Sequence, residues 1–345
     1  TAPETGRYEL GLTSSGTSQI WLDGQLLAGE TAAAQHGTSD TRGIIDLEGG
    51  RPAQIEIEYV WDDPAEPWRM LRLAARPFAE PPSAEEAVAL AAGADVAVVF
   101  AGLSDEWESE SFDRPDMALP GGQAELIAAI AAFNPNTVVV LNVGSPIDMP
   151  WLDDVPAVVL AWYPGQEAGN AIADVLFGDV VPSGRLPTTF PRRIQDNPAY
   201  LNYPGENGHV RYGEGLFVGY RYYDRKGIEP LFPFGHGLSY TTFAYRGLTL
   251  DAAEYEPGDE IQVSVDVENT GARTGKEVVQ IYVQDVASTL VRPEKELKAF
   301  TKVEIEAGKT RRIHLTLDRD ALAYYNPARG GWIVEPGEFE VLVGH

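Results

Sequence analysis

No cysteine occurs among the 345 residues, which removes disulfides, zinc–thiolate sites and thiol nucleophiles together. That absence leaves the compartment open, because many exported proteins also lack the residue. Positive charge is the second scarcity. Lys and Arg number 26 against 52 Asp and Glu, a formal net charge of -26, and no basic patch interrupts it, so neither nucleic acid nor a membrane surface is an expected partner. Long apolar runs are also missing, and none approaches the roughly 18 residues of a spanning helix. The histidines, His36, His209, His236, His314 and His345, have no ligand spacing, and no metal site is expected. Nor is there a G-x-S-x-G elbow, a Walker A loop, a Rossmann G-x-G-x-x-G, an H-E-x-x-H or an EF-hand loop. Serine-hydrolase, nucleotide and metal chemistry therefore lose their signatures.

What remains is a hydrophobic content of 44 %, enough for roughly two or three domains. Residues 1–78 read as a β domain. Tyr8 to Leu12 and Gln19 to Leu22 alternate, Asp23-Gly24 is a two-residue hairpin signal, and Ile44 to Leu47 and Ile55 to Trp61 add strands, with a polar loop over 28–41. That strand set is too small for a closed sandwich, and Trp21 and Trp61 read as core aromatics. Since Thr1 opens inside this strand-rich region and a strand is still leaving at His345, the chain is expected to be a fragment.

Residues 79–245 read as a parallel α/β domain. Pro77, Pro81 and Pro82 mark a linker, and Ser83-Ala84-Glu85-Glu86 has the form of a capping box. The apolar run Val96 to Ala101 reads as a strand covered on both faces. A helix over 121–133, strands over 137–143 and 156–162, and a helix over 166–177 follow. Residues 246–345 read as a β sandwich, because Ile261 to Val267, Val279 to Val283, Ile313 to Leu317 and Phe339 to Val343 all alternate, with turns at Asn269-Thr270-Gly271 and Pro336-Gly337.

The segment that carries chemistry is the loop after Gly102. Asp105, Glu106, Glu108, Glu110 and Asp113 crowd it together with Trp107, Phe112 and Arg114. Carboxylates that close raise one another's pKa, and an apolar wall raises it further, which suits a proton donor near neutral pH. The same composition also fits a solvated loop whose charges only keep the chain soluble, and residue chemistry leaves both open. Arg114 is expected to pair with Asp113 or another nearby acid and to order the loop. In a parallel sheet ligands sit beyond the carboxyl ends of the strands, where this loop, Gly144-Ser145-Pro146-Ile147 and Tyr163-Pro164-Gly165-Gln166-Glu167 all fall.

Glu110-Ser111-Phe112-Asp113-Arg114, followed by Leu119-Pro120-Gly121 and a helix, resembles the acid/base loop E-G-Y-D-R of glycoside hydrolase family 3, the β-glucosidase-like enzymes, with Ser for Gly and Phe for Tyr. The loops at Gly144 and Tyr163 are similar to that family's N-x-G-S-P and W-x-P-G-Q-E, and Pro182-Ser183-Gly184-Arg185-Leu186-Pro187 to its P-S-G-K-L-P. The aromatic segments Tyr212 to Tyr223 and Phe232 to Phe243 also resemble the family, and read as packing that stitches domains together, with a sugar-stacking platform as the alternative. Gly16 to Gly24 is similar to a motif of the PA14 domain that some members insert. Ser145 and Glu167 read as structural, an acid being favoured at a helix N-terminus.

The resemblance implies a partial PA14 β domain, a parallel-sheet α/β sandwich and a fibronectin type III-like β sandwich. It makes Glu110 the catalytic acid/base of a retaining β-glycosidase acting on terminal non-reducing β-D-glucosyl residues, without a cofactor. The family's nucleophilic Asp, in an S-D-W motif of an amino-terminal barrel, has no counterpart here. The expected partners are therefore a β-glucoside or related glycoside and that barrel, and the chain alone is expected to be inactive. A carbohydrate-binding or scaffolding module without hydrolytic activity is the alternative. No substrate-binding residue can be named from sequence.

Overall fold

The computed structural model describes residues 1–29, 39–60, 71–80, 82–104, 107–110, 113–256 and 258–344. Trp61, Pro81, Asp105, Glu106, Ser111, Phe112 and His345 lie outside the described residues, as does the middle of the expected 28–41 loop. The chain divides into two compact units: Thr1–Ala97 with Leu103–Arg114 and Glu125–Thr137, and Val98–Gly102 with Pro115–Ala124 and Val138–His345.

The first unit opens with six strands, β1 (Gly6–Ser14), β2 (Thr17–Leu22), β3 (Gln25–Gly29), β4 (Ser39–Leu47), β5 (Ile55–Val60) and β6 (Leu71–Pro77). They form two antiparallel three-stranded sheets, ordered β4-β1-β6 and β3-β2-β5. Period-two alternation buries Tyr8, Leu10 and Leu12 of β1 and Ile20 and Leu22 of β2, and residues of both sheets, among them Leu10, Leu47, Leu22 and Ile55, line a common pocket. Asp23 and Gly24 both take positive φ, 48° and 81°, which is the turn whose twist matches a two-residue hairpin.

Three expectations are corrected in this region. Trp21 is half-buried and not core, because it is out of phase with buried Ile20 and Leu22. The 28–41 loop is cut at both ends, by Ala28 and Gly29 of β3, which pair with β2, and by Ser39 to Thr41 of β4, which pair with β1, partners that periodicity alone does not reveal. Pro77 closes β6 and is not part of a linker; β6 escaped notice because Leu-Arg-Leu-Ala-Ala-Arg-Pro is exposed throughout and its register with β1 comes from distant residues.

Helix α1 (Ala84–Ala92) starts at the expected capping box: Glu86 N donates to Ser83 Oγ at 3.1 Å and Ser83 N donates to Glu86 Oε2 at 2.9 Å. Helix α2 (Gln123–Phe133) buries Ile127, Ile130 and Ala131. Asn134, 3 % exposed, donates from Nδ2 to the carbonyls of Ala91 and Ala94, both at 2.9 Å, and so ties the chain after α2 to the end of α1.

The next sheet has the order β7 (Ala97–Gly102), β8 (Thr137–Asn142), β9 (Ala157–Leu160), with β8 and β9 parallel. The central strand is buried on both faces, with Val139, Val140 and Leu141 inaccessible. β7 is not, contrary to expectation: Val98 is 43 % and Phe100 60 % exposed. An apolar run reports the chemistry of a face and not what covers it. Helix α3 (Ala168–Phe177) follows β9 after a short 3-10 turn, and α4 (Tyr220–Lys226) lies in the first aromatic segment.

The remaining strands are β10 (Phe243–Leu250), β11 (Ile261–Asn269), β12 (Gly275–Asp285), β13 (Glu296–Ile305) and β14 (Thr310–Leu317), then, after α5 (Arg319–Leu322), β15 (Tyr324–Asn326), β16 (Gly331–Ile333) and β17 (Phe339–Gly344). Sheets β10-β11-β14 and β13-β12-β17 are antiparallel. Their alternating residues pack as two adjoining clusters, one around Ile261, Val263, Ile281, Val283 and Leu317 and one around Val265, Val267, Val279, Ile305 and Ile313. Asn269 is the exception to its turn assignment. It is fully buried, accepts from Thr241 Oγ1 at 2.6 Å, and donates to the carbonyls of Arg273 and Ile305 at 2.8 Å. No helix among the described residues is long and apolar enough to cross a membrane.

Candidate active site

Gly102 ends β7, and the acidic loop leaves from it. An added Cβ at Gly102 would meet the Asn142 carbonyl oxygen at 2.2 Å, so glycine is required by the approach of the neighbouring strand. Near its start the Trp107 and Glu108 amides both donate to the Ser104 carbonyl, at 2.8 and 3.0 Å. Glu108 is half-buried and lies 3.5 Å from Arg114 Nη1, with both side chains largely covered. Arg114 thus pairs with a loop carboxylate, as expected, and a partner it takes is Glu108. Pairs this dry are held more firmly than surface ones.

Glu110 is different. It is exposed, and among the described residues it has no hydrogen-bond or ion-pair partner. The sequence places an apolar wall near the loop's carboxylates; Phe112, one of its two aromatics, lies outside the described residues, and Glu110 itself is exposed. Its side chain is therefore accessible from solvent, whereas that of Glu108 is engaged by the loop's cation.

The loop's second half is anchored within the second unit. Met117 and Leu119 are buried, and Asp148 N donates to the Met117 carbonyl at 2.8 Å. The strand-end segment after β8 continues into buried Ile147, Met149 and Trp151. After β9, Trp162 takes a positive φ of 53°, a conformation costly for a bulky residue, and its ring packs edge-on against Phe190 at 6.1 Å. Glu167 sits at the N-terminus of α3 and accepts from Asn170 Nδ2 at 2.6 Å, a bond that suits the structural reading. Among the described residues no group of three or more His, Asp or Glu is placed to hold a metal.

Sequence reasoning missed Gln123. Its Oε1 accepts from Gly102 N at 2.8 Å, and its Nε2 donates to the carbonyls of Gly102 and Pro120, both at 3.0 Å. The available signal was the pair Gly121-Gly122, with φ of 69° and 76°, which turns the chain back just before this residue.

The aromatic segments are only partly core. Tyr223 is 5 % exposed, whereas Tyr212 is 84 % and Tyr240 44 % exposed. Helix α4 is bonded to the segment that opens β13 and packs on β12: Leu297 N donates to Tyr220 Oη at 2.9 Å, Lys295 Nζ lies 2.6 Å from Asp224, and the Tyr220 and Tyr282 rings meet edge-on at 5.9 Å.

Comparison with known proteins matches residues 7–240 to the glycosyl hydrolase family 3 C-terminal domain and residues 277–345 to a fibronectin type III-like domain. The chain belongs to glycosyl hydrolase family 3. Among family members, the thermostable β-glucosidase B of Acetivibrio thermocellus is 56 % identical over 259 residues, covering 75 % of this chain and 34 % of that protein. A β-glucosidase of Rhizobium radiobacter is 43 % identical over 356 residues, covering 99 % and 43 %. The crystal structure of the Kluyveromyces marxianus β-glucosidase in complex with glucose superposes over the whole chain with a TM-score of 0.86 and 40 % identity, using 42 % of that structure. The chain thus spans less than half the length of the relatives it matches. The match bears out the family resemblance, the parallel-sheet α/β region and the fibronectin-like region; it does not single out a PA14 domain.

Proposed function

We propose that this chain is the carboxyl-terminal part of a retaining β-glucosidase and that Glu110 is its acid/base. The observation that carries the reading is the division of labour in the acidic loop: Glu108 pairs with Arg114, while Glu110 is exposed and, among the described residues, has no partner, in the loop that leaves the carboxyl end of a strand in the α/β sheet. Membership of a family whose matched relatives are named β-glucosidases supports the substrate class.

In this reading Glu110 gives its proton to the glycosidic oxygen while an Asp of an amino-terminal barrel attacks the anomeric carbon. The aglycone leaves as the alcohol. The Glu110 carboxylate then takes a proton from water, whose oxygen displaces the Asp, and glucose is released with its configuration retained. Such an enzyme needs two carboxyl groups about 5–5.5 Å apart, and this chain supplies one, so it does not turn over substrate alone. The proposed domains are residues 1–78, PA14-like, a reading supported by two antiparallel sheets that line a common pocket; 79–245, α/β; and 246–345, fibronectin-like.

The test is Glu110→Ala in the full-length protein. Alkyl β-glucosides, whose leaving group needs a proton, should react roughly two to four orders of magnitude more slowly, with a much smaller loss on dinitrophenyl β-glucoside. Wild-type rates on both would reject the assignment. If the full-length protein bound β-glucosides and released no glucose, the chain would be part of a binding module.

A further inference from the structure

We propose that Gln123 is a positioning residue that fixes both roots of the acid/base loop, at Gly102 and Pro120, and so sets where Glu110 presents its proton. This rests on the acid/base reading of Glu110 given above.

The argument starts from the chemistry of a primary amide. It carries an acceptor and two N–H donors side by side, the same pair of functions that a neighbouring strand offers to a strand edge. At Gly102 the Gln123 amide takes that part, accepting from the backbone N–H and donating to the carbonyl of the same residue. Its second donor goes to the Pro120 carbonyl. Both donors are thereby used, and the last residue before the loop is tied to the residue that closes it.

Three features make the clamp specific. Gly102 cannot shift toward β8, because the Asn142 carbonyl already occupies the space of a Cβ. Pro120 has a restricted φ, and the left-handed Gly121 and Gly122 turn the chain so that the amide of Gln123 returns to it. Fixing both ends removes freedom from residues 103–119 that would otherwise be lost on ordering. A general acid works only within hydrogen-bond reach of its target, so movement of these roots becomes misplacement of Glu110.

The proposal separates from a plain stabilising role through the leaving group. Gln123→Ala deletes all three bonds. Gln123→Glu keeps the size and the acceptor for Gly102 N but sets a carboxylate against two carbonyl oxygens. Both are made in the full-length protein and measured for kcat/KM on an alkyl β-glucoside and on dinitrophenyl β-glucoside, beside Glu110→Ala. We expect the alkyl substrate to lose about tenfold to a hundredfold and the dinitrophenyl substrate to lose no more than about threefold, since its departure needs little proton donation. The same loss on both substrates, with a lowered thermal midpoint, would make Gln123 merely structural, and no loss on either would remove it from the account; each overturns the proposal. Glu110→Ala separates the two claims. A leaving-group effect there without one at Gln123 rejects the clamp alone, whereas no effect at Glu110 rejects the acid/base reading and the clamp with it.

Discussion

Arg185 Nη2 lies 2.6 Å from Glu277 Oε2, and the two side chains are 7 % and 0 % exposed. The other carboxylate oxygen accepts from Tyr245 Oη at 2.7 Å, so both oxygens of a buried acid are satisfied. Arg185 belongs to the Pro-Ser-Gly-Arg-Leu-Pro segment, and Glu277 sits on β12 in phase with the core residues Val279, Ile281 and Val283. The pair therefore joins the end of the α/β region to the inner face of the fibronectin-like sheets.

Removing one member of such a pair leaves an uncompensated buried charge. Arg185→Ala should cost about 3–5 kcal/mol, read as a shift of the urea denaturation midpoint, and Arg185→Lys should cost clearly less because the charge remains. Equal losses for the two would show that the planar fork matters more than the charge.

The Arg114–Glu108 contact gives a kinetic expectation. Because Arg114 holds the loop through Glu108, Arg114→Met in the full-length protein should lower kcat and speed amide exchange across residues 104–114. A rise in KM alone with unchanged exchange would instead make Arg114 a substrate contact.

Alkaline pH should weaken the second unit. Burial, helped by the charge of Asp196, pushes the Tyr223 phenol up to about 12. Burial, with Tyr220 and Asp224 nearby, does the same to Tyr282, and Tyr245 is raised further by burial and by donation to Glu277. The ordinary value is 10.0, so the folded chain keeps protons that the unfolded chain releases between these values. Stability from this source is complete below about pH 10 and is lost as pH rises toward about pH 12. The urea midpoint should fall between about pH 8 and about pH 11, and Tyr282→Phe should flatten that fall. A midpoint unchanged over the range would contradict these shifts.

What could be read from sequence was what short-range chemistry decides. Asp23-Gly24 and Ser83 with Glu86 carry their own geometry, and the alternation from Ile261 to Val267 has only one face to bury. What could not be read depended on distant partners. Glu277 is an acid in an apolar phase, intelligible only once Arg185 and Tyr245 are beside it. Asn269 has a turn residue's chemistry, yet its bonds go to residues such as Ile305 in another strand. β6 is fixed by its ladder to β1, and Gln123 acquires meaning from Gly102, at the far side of the loop. The acidic loop was legible as chemistry, but that Glu108 takes Arg114 depends on how the loop folds.

The central claim is that Glu110 is the proton donor of a retaining enzyme. In Glu110→Ala full-length protein, dinitrophenyl β-glucoside is mixed with azide, a small anion able to enter the space left by the carboxylate without needing base catalysis. The account predicts that azide accelerates turnover and that the product is the β-glucosyl azide, formed on the same face as water in the wild type. Absence of the azide adduct with the α-linked or hydrolysed sugar as sole product, or the same β-azide arising from Glu108→Ala and not from Glu110→Ala, would contradict it.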